Sequence, residues 1–255
     1  MDDSGRPMEV VLVQSRDLWV GDNTVHYLAI GSGPPVVLLH GGASTSSEWL
    51  GPMAELSGTH AAYALDMIGY GRSSRHERGY YLSDLAETVE RSLDKLGLGS
   101  VTLVGHSLGG RVAMEVAFRE PGRVERLVLV DTMGFSPLAM WAKAVGAVTW
   151  SVRRLFKHPQ PFPTLLLKEG EDHDWICLDR LPRLNMPTLI VWNLHDPYFS
   201  VKGAIEASRL IPDARLKVIP GFGHSPHVGN ARLFNDLLMD FLDEYPQRSG
   251  VFATG

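Results

Sequence analysis

Short apolar runs bounded by Gly, Pro, Asp or Ser recur along most of this chain, with longer amphipathic stretches between them. That alternation constrains the fold most. An apolar run of four to seven residues reads as a strand and an amphipathic stretch of a dozen as a helix, so their regular alternation predicts an α/β sheet covered by helices. The runs read as strands are Glu9 to Val13, Val25 to Ile30, Val36 to Leu39, Ala61 to Leu65, Val101 to Val104, Leu127 to Val130, Thr188 to Trp192 and Leu216 to Ile219. From the third onward they are continuous in Val, Leu and Ile, as parallel strands buried on both faces must be. The first two alternate more and suit an antiparallel edge.

The intervening helices carry recognisable ends. Ser83 is positioned to cap a helix whose Leu85, Val89, Leu93 and Leu96 form one stripe ending at Gly97. Asn230 is positioned to cap a last helix carrying Leu233, Phe234, Leu237, Leu238, Phe241 and Leu242, stopped near Pro246. The alternation fails once, from about Gly134 to Met186. This stretch holds Trp141, Trp150, Phe156, Phe162 and Trp175, with three prolines from Pro159 to Pro163. Helix is expected for Ser136 to Phe156 and irregular chain after it. The segment reads as an insertion on the edge or mouth of the sheet, because its aromatics need a surface to bury against.

Composition excludes several classes. The chain has 255 residues, 44% hydrophobic and 21% charged, an ordinary balance for one core. Lys and Arg number 24 against 29 Asp and Glu, a formal net charge of -5, so no basic surplus exists for phosphate contacts and nucleic acid is not an expected partner. The single cysteine, Cys177, cannot form an internal disulfide and reads as a packing residue. Met1-Asp2-Asp3-Ser4-Gly5-Arg6-Pro7 has no signal-peptide character, and no run reaches the roughly 18 to 20 apolar residues of a membrane span. Leu138 to Trp150 comes closest but is interrupted by Lys143. A soluble, cytoplasmic protein is the expectation.

The chemistry is concentrated at four places. After the strand Val101 to Val104 comes Gly105-His106-Ser107-Leu108-Gly109-Gly110, followed by a helical pattern. Gly-x-Ser-x-Gly between strand and helix puts a serine on a sharp, strained turn with its hydroxyl exposed. A serine needs a base, and the base an orienting acid. Among ten histidines, His224 lies in a Gly-rich loop beyond the strand Leu216 to Ile219, at the strand end where parallel sheets present their sites. Its competitor three residues on, His227, reads as a loop or pocket residue. Asp196 follows the strand Thr188 to Trp192 and is the expected acid; Asp131, at the end of Leu127 to Val130, is the rival, otherwise a cap for the next turn. Backbone N–H groups of Gly42, in His40-Gly41-Gly42-Ala43-Ser44, and of Leu108 would form an oxyanion hole. His40 reads as a structural residue holding that loop.

Taken together, these motifs resemble the α/β-hydrolases of the serine esterase, lipase and C–C hydrolase type. The order Ser107, Asp196, His224 is theirs, and Asp66-Met67-Ile68-Gly69-Tyr70-Gly71-Arg72-Ser73 resembles the family's Asp-x-x-Gly-x-Gly-x-Ser turn. The resemblance spans nearly the whole chain. It implies the α/β-hydrolase fold, an eight-stranded, mostly parallel sheet with helices on both faces and a small, mainly helical cap inserted after the sixth strand. The core would comprise 1–133 and 187–255 and the cap 134–186. Dehalogenases and epoxide hydrolases of this fold carry Asp where Ser107 stands, which disfavours those activities. Asn193 departs from the Gly of many relatives in the loop before Asp196.

The resulting expectation is a serine carboxylesterase acting on a small or medium, apolar substrate. No zinc spacing, Walker loop or Rossmann glycine pattern is present, so no metal or cofactor is expected. Trp141, Trp150 and Trp175 of the cap are candidate substrate-binding residues. C–C bond hydrolysis, cofactor-free haloperoxidase or perhydrolase chemistry, and a hydrolase-derived ligand receptor are the alternatives, since substrate choice lies in cap and loops. The oligomeric state is not legible.

Overall fold

The computed structural model of the chain describes residues 12–76, 80–155 and 176–246. Its centre is one eight-stranded sheet: β1 (Gln14–Val20), β2 (Asn23–Ile30), β3 (Pro35–Leu39), β4 (Ala61–Leu65), β5 (Val101–His106), β6 (Val124–Val130), β7 (Thr188–His195) and β8 (Ala214–Phe222). Their spatial order is β1-β2-β4-β3-β5-β6-β7-β8. β1 and β2 pair antiparallel, as do β2 and β4, while every neighbouring pair from β4 through β3 to β8 is parallel. The mostly parallel α/β fold read from the apolar runs is therefore the observed one.

The pleat explains why those runs are continuous. In β3, Val37 and Leu39 face one apolar layer and Val36 and Leu38 the other, and all four are fully buried. The first layer is covered by α2 (Leu82–Lys95), α3 (Leu108–Arg119) and α5 (Val201–Leu210). The second is covered by α1 (Leu50–Leu56) and α7 (Ala231–Glu244), whose Met53, Leu56, Phe234, Leu238, Phe241 and Leu242 pack on Val104, Val128 and Val191. Strands enclosed on both faces have no position at which a polar residue is tolerated cheaply.

Three local readings are corrected. The first strand is Gln14–Val20, not Glu9 to Val13, of which 9–11 lie outside the described residues while Leu12 and Val13 precede β1. A two-residue turn at Gly21-Asp22, with Gly21 at φ 58, pairs Val20 with Asn23 and so sets the register by turn geometry rather than by apolar pattern. α2 is capped at Tyr81, not Ser83: the Tyr81 N–H donates to Asp84 Oδ2 at 2.8 Å, and the helix begins one residue before Ser83. Asn230 occupies the N-cap position of α7 but its side chain makes no capping bond.

Between β6 and β7 the chain leaves the sheet, with no strand among the described residues 131–187. α4 (Met140–Leu155) falls inside the expected Ser136 to Phe156. It starts late because Pro137 lies upstream and the Ala139 N–H donates to Tyr198 O at 3.0 Å. The proline-rich stretch after it lies outside the described residues.

The sheet and α3 meet without room for side chains. A Cβ on Gly109 would stand 2.2 Å from Leu39 O and 2.6 Å from His40 O, both backbone atoms that cannot rotate away. Gly109→Ala should therefore cost about 3 kcal/mol, a Tm loss of roughly 6 to 12 °C for a domain of this size. Gly51→Ala in α1, where a Cβ meets nothing within 4 Å, should leave Tm unchanged or slightly raised. Equal melting temperatures for the two variants would contradict this packing.

Candidate active site

Ser107 sits between β5 and α3 at φ 51, ψ -113, a conformation that costs an L-residue about 1 to 3 kcal/mol. The turn is held from several sides. The Ser107 N–H donates to Val130 O at 2.9 Å, while its carbonyl accepts from Met133 N at 3.1 Å and Thr132 Oγ1 at 3.2 Å. Flanking glycines permit the approach: a Cβ on Gly105 would lie 2.5 Å from Gly109 O, and one on Gly110 would lie 2.0 Å from Thr132 Oγ1.

The strained turn aims Ser107 Oγ at His224, in the loop after β8, with Oγ 2.9 Å from Nε2. On the other side His224 Nδ1 lies 2.9 Å from Asp196 Oδ2. Because a carboxylate only accepts, Nδ1 carries the proton and Nε2 is left to accept from the serine hydroxyl. Asp196 is anchored through its second oxygen, which accepts from Tyr198 N at 2.7 Å and Phe199 N at 3.3 Å. The rings of Tyr198 and Phe199 flank His224 at centroid distances of 4.7 and 5.6 Å. Burial, reinforced by the charge of nearby His106, holds the His224 imidazole below its ordinary pKa, although Asp196 pulls the other way.

Asp131, the rival acid, lies beside this chain without joining it. Its oxygens accept from Asn193 N at 2.8 Å and Asn193 Nδ2 at 3.1 Å, so the residue that departs from the family's glycine is the one that engages it. Burial first, and the charge of Asp196 second, push the Asp131 carboxyl up to about 7. Its φ of 39 is a second strained turn at the same strand ends.

The loop after β3 holds His40 fully buried. Its Nδ1–H donates to Gly41 O at 2.7 Å and Nε2 accepts from Met67 N at 3.1 Å, so both ring nitrogens serve the backbone, as expected of a structural residue. Gly42 is half-buried in this loop and Leu108 is buried at the start of α3, where its N–H has no intrahelical acceptor. His227 is neither a loop nor a pocket residue. It lies in the short helix α6 (Pro226–Gly229), 1% exposed, stacked on Trp49 at 4.3 Å and edge-on to Phe234 at 5.8 Å. Burial lowers its pKa to about 4, so this ring is neutral.

Of the three tryptophans expected to bind substrate, Trp141 alone has a described side chain. It is half-exposed, its Nε1–H donates to Pro197 O at 3.1 Å, and its ring lies 5.1 Å from that of Tyr198. The side chain of Trp150 and all of Trp175 lie outside the described residues. Cys177 is buried, its thiol directed at Gly134 O, as a packing residue would be.

Two residues in the site escaped the sequence reading. Glu48 Oε1 accepts from Gly41 N at 3.0 Å and lies 3.1 Å from His106 Nδ1, and His106 Nε2 lies 2.6 Å from His224 O. His106 is the variable position of Gly-x-Ser-x-Gly, and Glu48 sits in the 3-10 turn Ser46–Trp49 with no motif around it. Among the described residues, two sets of carboxylate and imidazole atoms converge within 4.8 Å, Glu48–His106–His227 and Asp131–Asp196–His224. In each, hydrogen bonds within the protein already engage the acids that would have to hold a metal.

Comparison with known proteins agrees with this architecture. Residues 34–174 and 177–231 match the family model described as alpha/beta hydrolase fold. An uncharacterised protein of Mycobacterium tuberculosis is 29% identical over 261 residues, covering 84% of this chain and 76% of its own. The 2-hydroxymuconate semialdehyde hydrolase of Pseudomonas putida is 30% identical over 253 residues, covering 84% of this chain and 89% of its own. Among solved structures, a thermophilic esterase from Thermogutta terrifontis superposes with a TM-score of 0.80 at 22% identity, over 92% of this chain and all of that one, a likeness of fold. With the sheet order, the strained serine turn and these matches in agreement, the chain belongs to the α/β-hydrolase fold family.

Proposed function

We propose that this protein is a serine hydrolase that cleaves a carboxylic ester of a small or medium, apolar substrate through an acyl-enzyme. The observation that carries the reading is the hydrogen-bonded chain from Ser107 Oγ through His224 to Asp196, with the serine on a strained turn. Ser107 attacks the carbonyl carbon as its proton passes to His224 Nε2, and Asp196 balances the imidazolium that forms. The Gly42 and Leu108 N–H groups receive the developing oxyanion. His224 returns the proton to the leaving alcohol, and water then repeats the sequence on the acyl-enzyme.

Residues 134–186 are read as the cap. The ring contacts from Trp141 to Tyr198 and from Tyr198 to His224 support this, because they bring an aromatic of that segment within one residue of the base. Trp141, with Trp150 and Trp175, is the proposed apolar contact for the acyl or leaving group. A second reading, hydrolysis of a C–C bond in a vinylogous diketone by the same residues, is favoured by the 30% identical hydrolase of Pseudomonas putida. Turnover of p-nitrophenyl esters of graded length, measured beside a ring-cleavage diketone, separates the two.

Ser107→Ala should fold and lose about 10⁴ to 10⁶ in kcat, with fluorophosphonate labelling only of the parent. A variant retaining more than about a tenth of the parent rate would place the nucleophile elsewhere.

Asp196→Asn should cost about 10⁴, since the amide favours the wrong imidazole tautomer. Asp131→Asn keeps a shape that Asn193 can hold and should cost little activity. The opposite ranking, at matched folding, would transfer the acid's role to Asp131.

The base must be neutral to act, so kcat/KM should rise with pH through the pKa of His224. Because that pKa is lowered, the acid limb should lie below the ordinary value of about 6.5 and rate should be level across neutral pH. His227→Ala should leave the limb in place. A limb well above about 7 would contradict the buried environment described for His224.

A further inference from the structure

Resting on the serine-hydrolase reading above, we infer that Glu48 and His106 form a buried, charged pair that positions three loops of the site, acting as positioning residues for the reaction at Ser107. His106 Nδ1 faces Glu48 Oε1 at 3.1 Å and its Nε2 faces the carbonyl oxygen of His224 at 2.6 Å. Neither partner can donate. A neutral imidazole has one N–H and would turn a lone pair toward one of these oxygens, so the geometry requires protons on both nitrogens and His106 is an imidazolium. Its ring is 4% exposed, and Glu48, with a side chain 9% exposed, supplies the counter-charge.

The pair connects elements far apart in sequence. Glu48 also accepts from Gly41 N at 3.0 Å, which fixes the loop that carries Gly42. His106 is the last residue of β5 and immediately precedes Ser107, so its ring is fixed to the nucleophile turn. Through the His224 carbonyl it holds the loop bearing the base, 118 residues away. One cation and one anion therefore set the mutual positions of oxyanion loop, nucleophile and base. The space is tight as well: a Cβ on Gly41 would lie 2.6 Å from His106 Nδ1.

The other titratable groups around His106 do not substitute for Glu48. The rings of His227 and His224 lie 4.6 and 4.9 Å away, His40 lies in the adjoining loop, and Asp131 acts only at longer range. His227 stands 3.5 Å from Glu48 Oε1, but neither of its nitrogens has a hydrogen-bond partner. Burial opposes charge on both members of the pair. Even so, Glu48 holds the His106 imidazole above its ordinary pKa, and His106 holds the Glu48 carboxyl well below the carboxylate range.

Glu48→Gln would remove the charge that keeps His106 doubly protonated. A neutral His106 serves only one of its two oxygens, and turning the amide to satisfy the other nitrogen takes the acceptor from Gly41. Whichever way it settles, one of the three ties is lost.

The test uses ¹⁵N-histidine NMR on the whole protein and steady-state kinetics with p-nitrophenyl esters. One imidazole should keep both ring protons at a pH above the ordinary histidine value of about 6.5. It is assigned to His106 by cross-peaks to His224 and by its absence from His106→Asn. In Glu48→Gln that signal should become singly protonated, and kcat should fall about 10- to 100-fold with KM changed less than about threefold. Glu48→Asp, which keeps the charge, should retain the doubly protonated signal and part of the rate. The inference is overturned if the parent shows no such imidazole, or if Glu48→Gln loses it with kcat unchanged. Spectra recorded on Ser107→Ala keep the two readings apart. If that variant still hydrolyses esters, the serine-hydrolase reading fails, whereas the proton count on His106 is read without turnover and stands or falls alone.

Discussion

Everything at the candidate site hangs on how closely α3 can approach the ends of β3 and β5. The helix packs against backbone rather than side chains, with the position of Gly109 directly over Leu39 O and His40 O. A turn this abrupt leaves Ser107 no ordinary backbone conformation, and the cost is met by bonds to Val130, Thr132 and Met133 on the neighbouring strand and its exit. The strain is shared. Among the described residues, the non-glycine positions with positive φ are Ala43, Ser107 and Asp131, which end or follow β3, β5 and β6, adjacent strands of the sheet. Three consecutive strands finish in backbone that most residues avoid, because all three turn sharply over the same small space.

That space is also where charge has been taken out of water. Asp196, His224, Asp131, Glu48, His106 and His227 are gathered at the carboxyl ends of β3 to β8, and a low dielectric makes each dependent on its neighbours. The solutions differ from residue to residue. Asp196 is stabilised by two amides and an imidazole, Asp131 is driven toward its neutral form, His227 is neutral, and His106 is charged against Glu48. Of these two chemically identical carboxyl groups, Asp196 accepts from His224 Nδ1 while Asp131 accepts from Asn193.

Much of this was legible in the sequence because it is local. Strands buried on both faces are marked by runs of Val, Leu and Ile, and a strand-turn-helix with glycines around Ser107 leaves its pattern within six residues. The candidate places of His224 and Asp196 after strands are legible in the same way. What could not be read depends on contacts across the chain. Glu48 and His106 are 58 residues apart, and neither type nor spacing announces that they meet. His227 reads in sequence as a loop or pocket residue, but α6 turns it onto Trp49, which only the packing of α1 and α7 against the sheet explains. At β1 and at the start of α2, a tight turn and an Asp84 hydrogen bond outweighed the apolar pattern that the reading followed.

Among the described residues the sheet is open, with β1 and β8 at its two margins, and an open margin presents unpaired N–H and C=O groups to any other strand that drifts past. Here both margins are unsuited to such company. β1 begins Gln14-Ser15-Arg16-Asp17 and is exposed along most of its length. β8 carries Arg215 and Lys217, and its Pro220 lacks a donor altogether. A second molecule docking edge to edge would have to strip water from these charges and leave hydrogen bonds unmade. Growth of a ninth strand at another molecule's expense is disfavoured by these charges and by the missing donor.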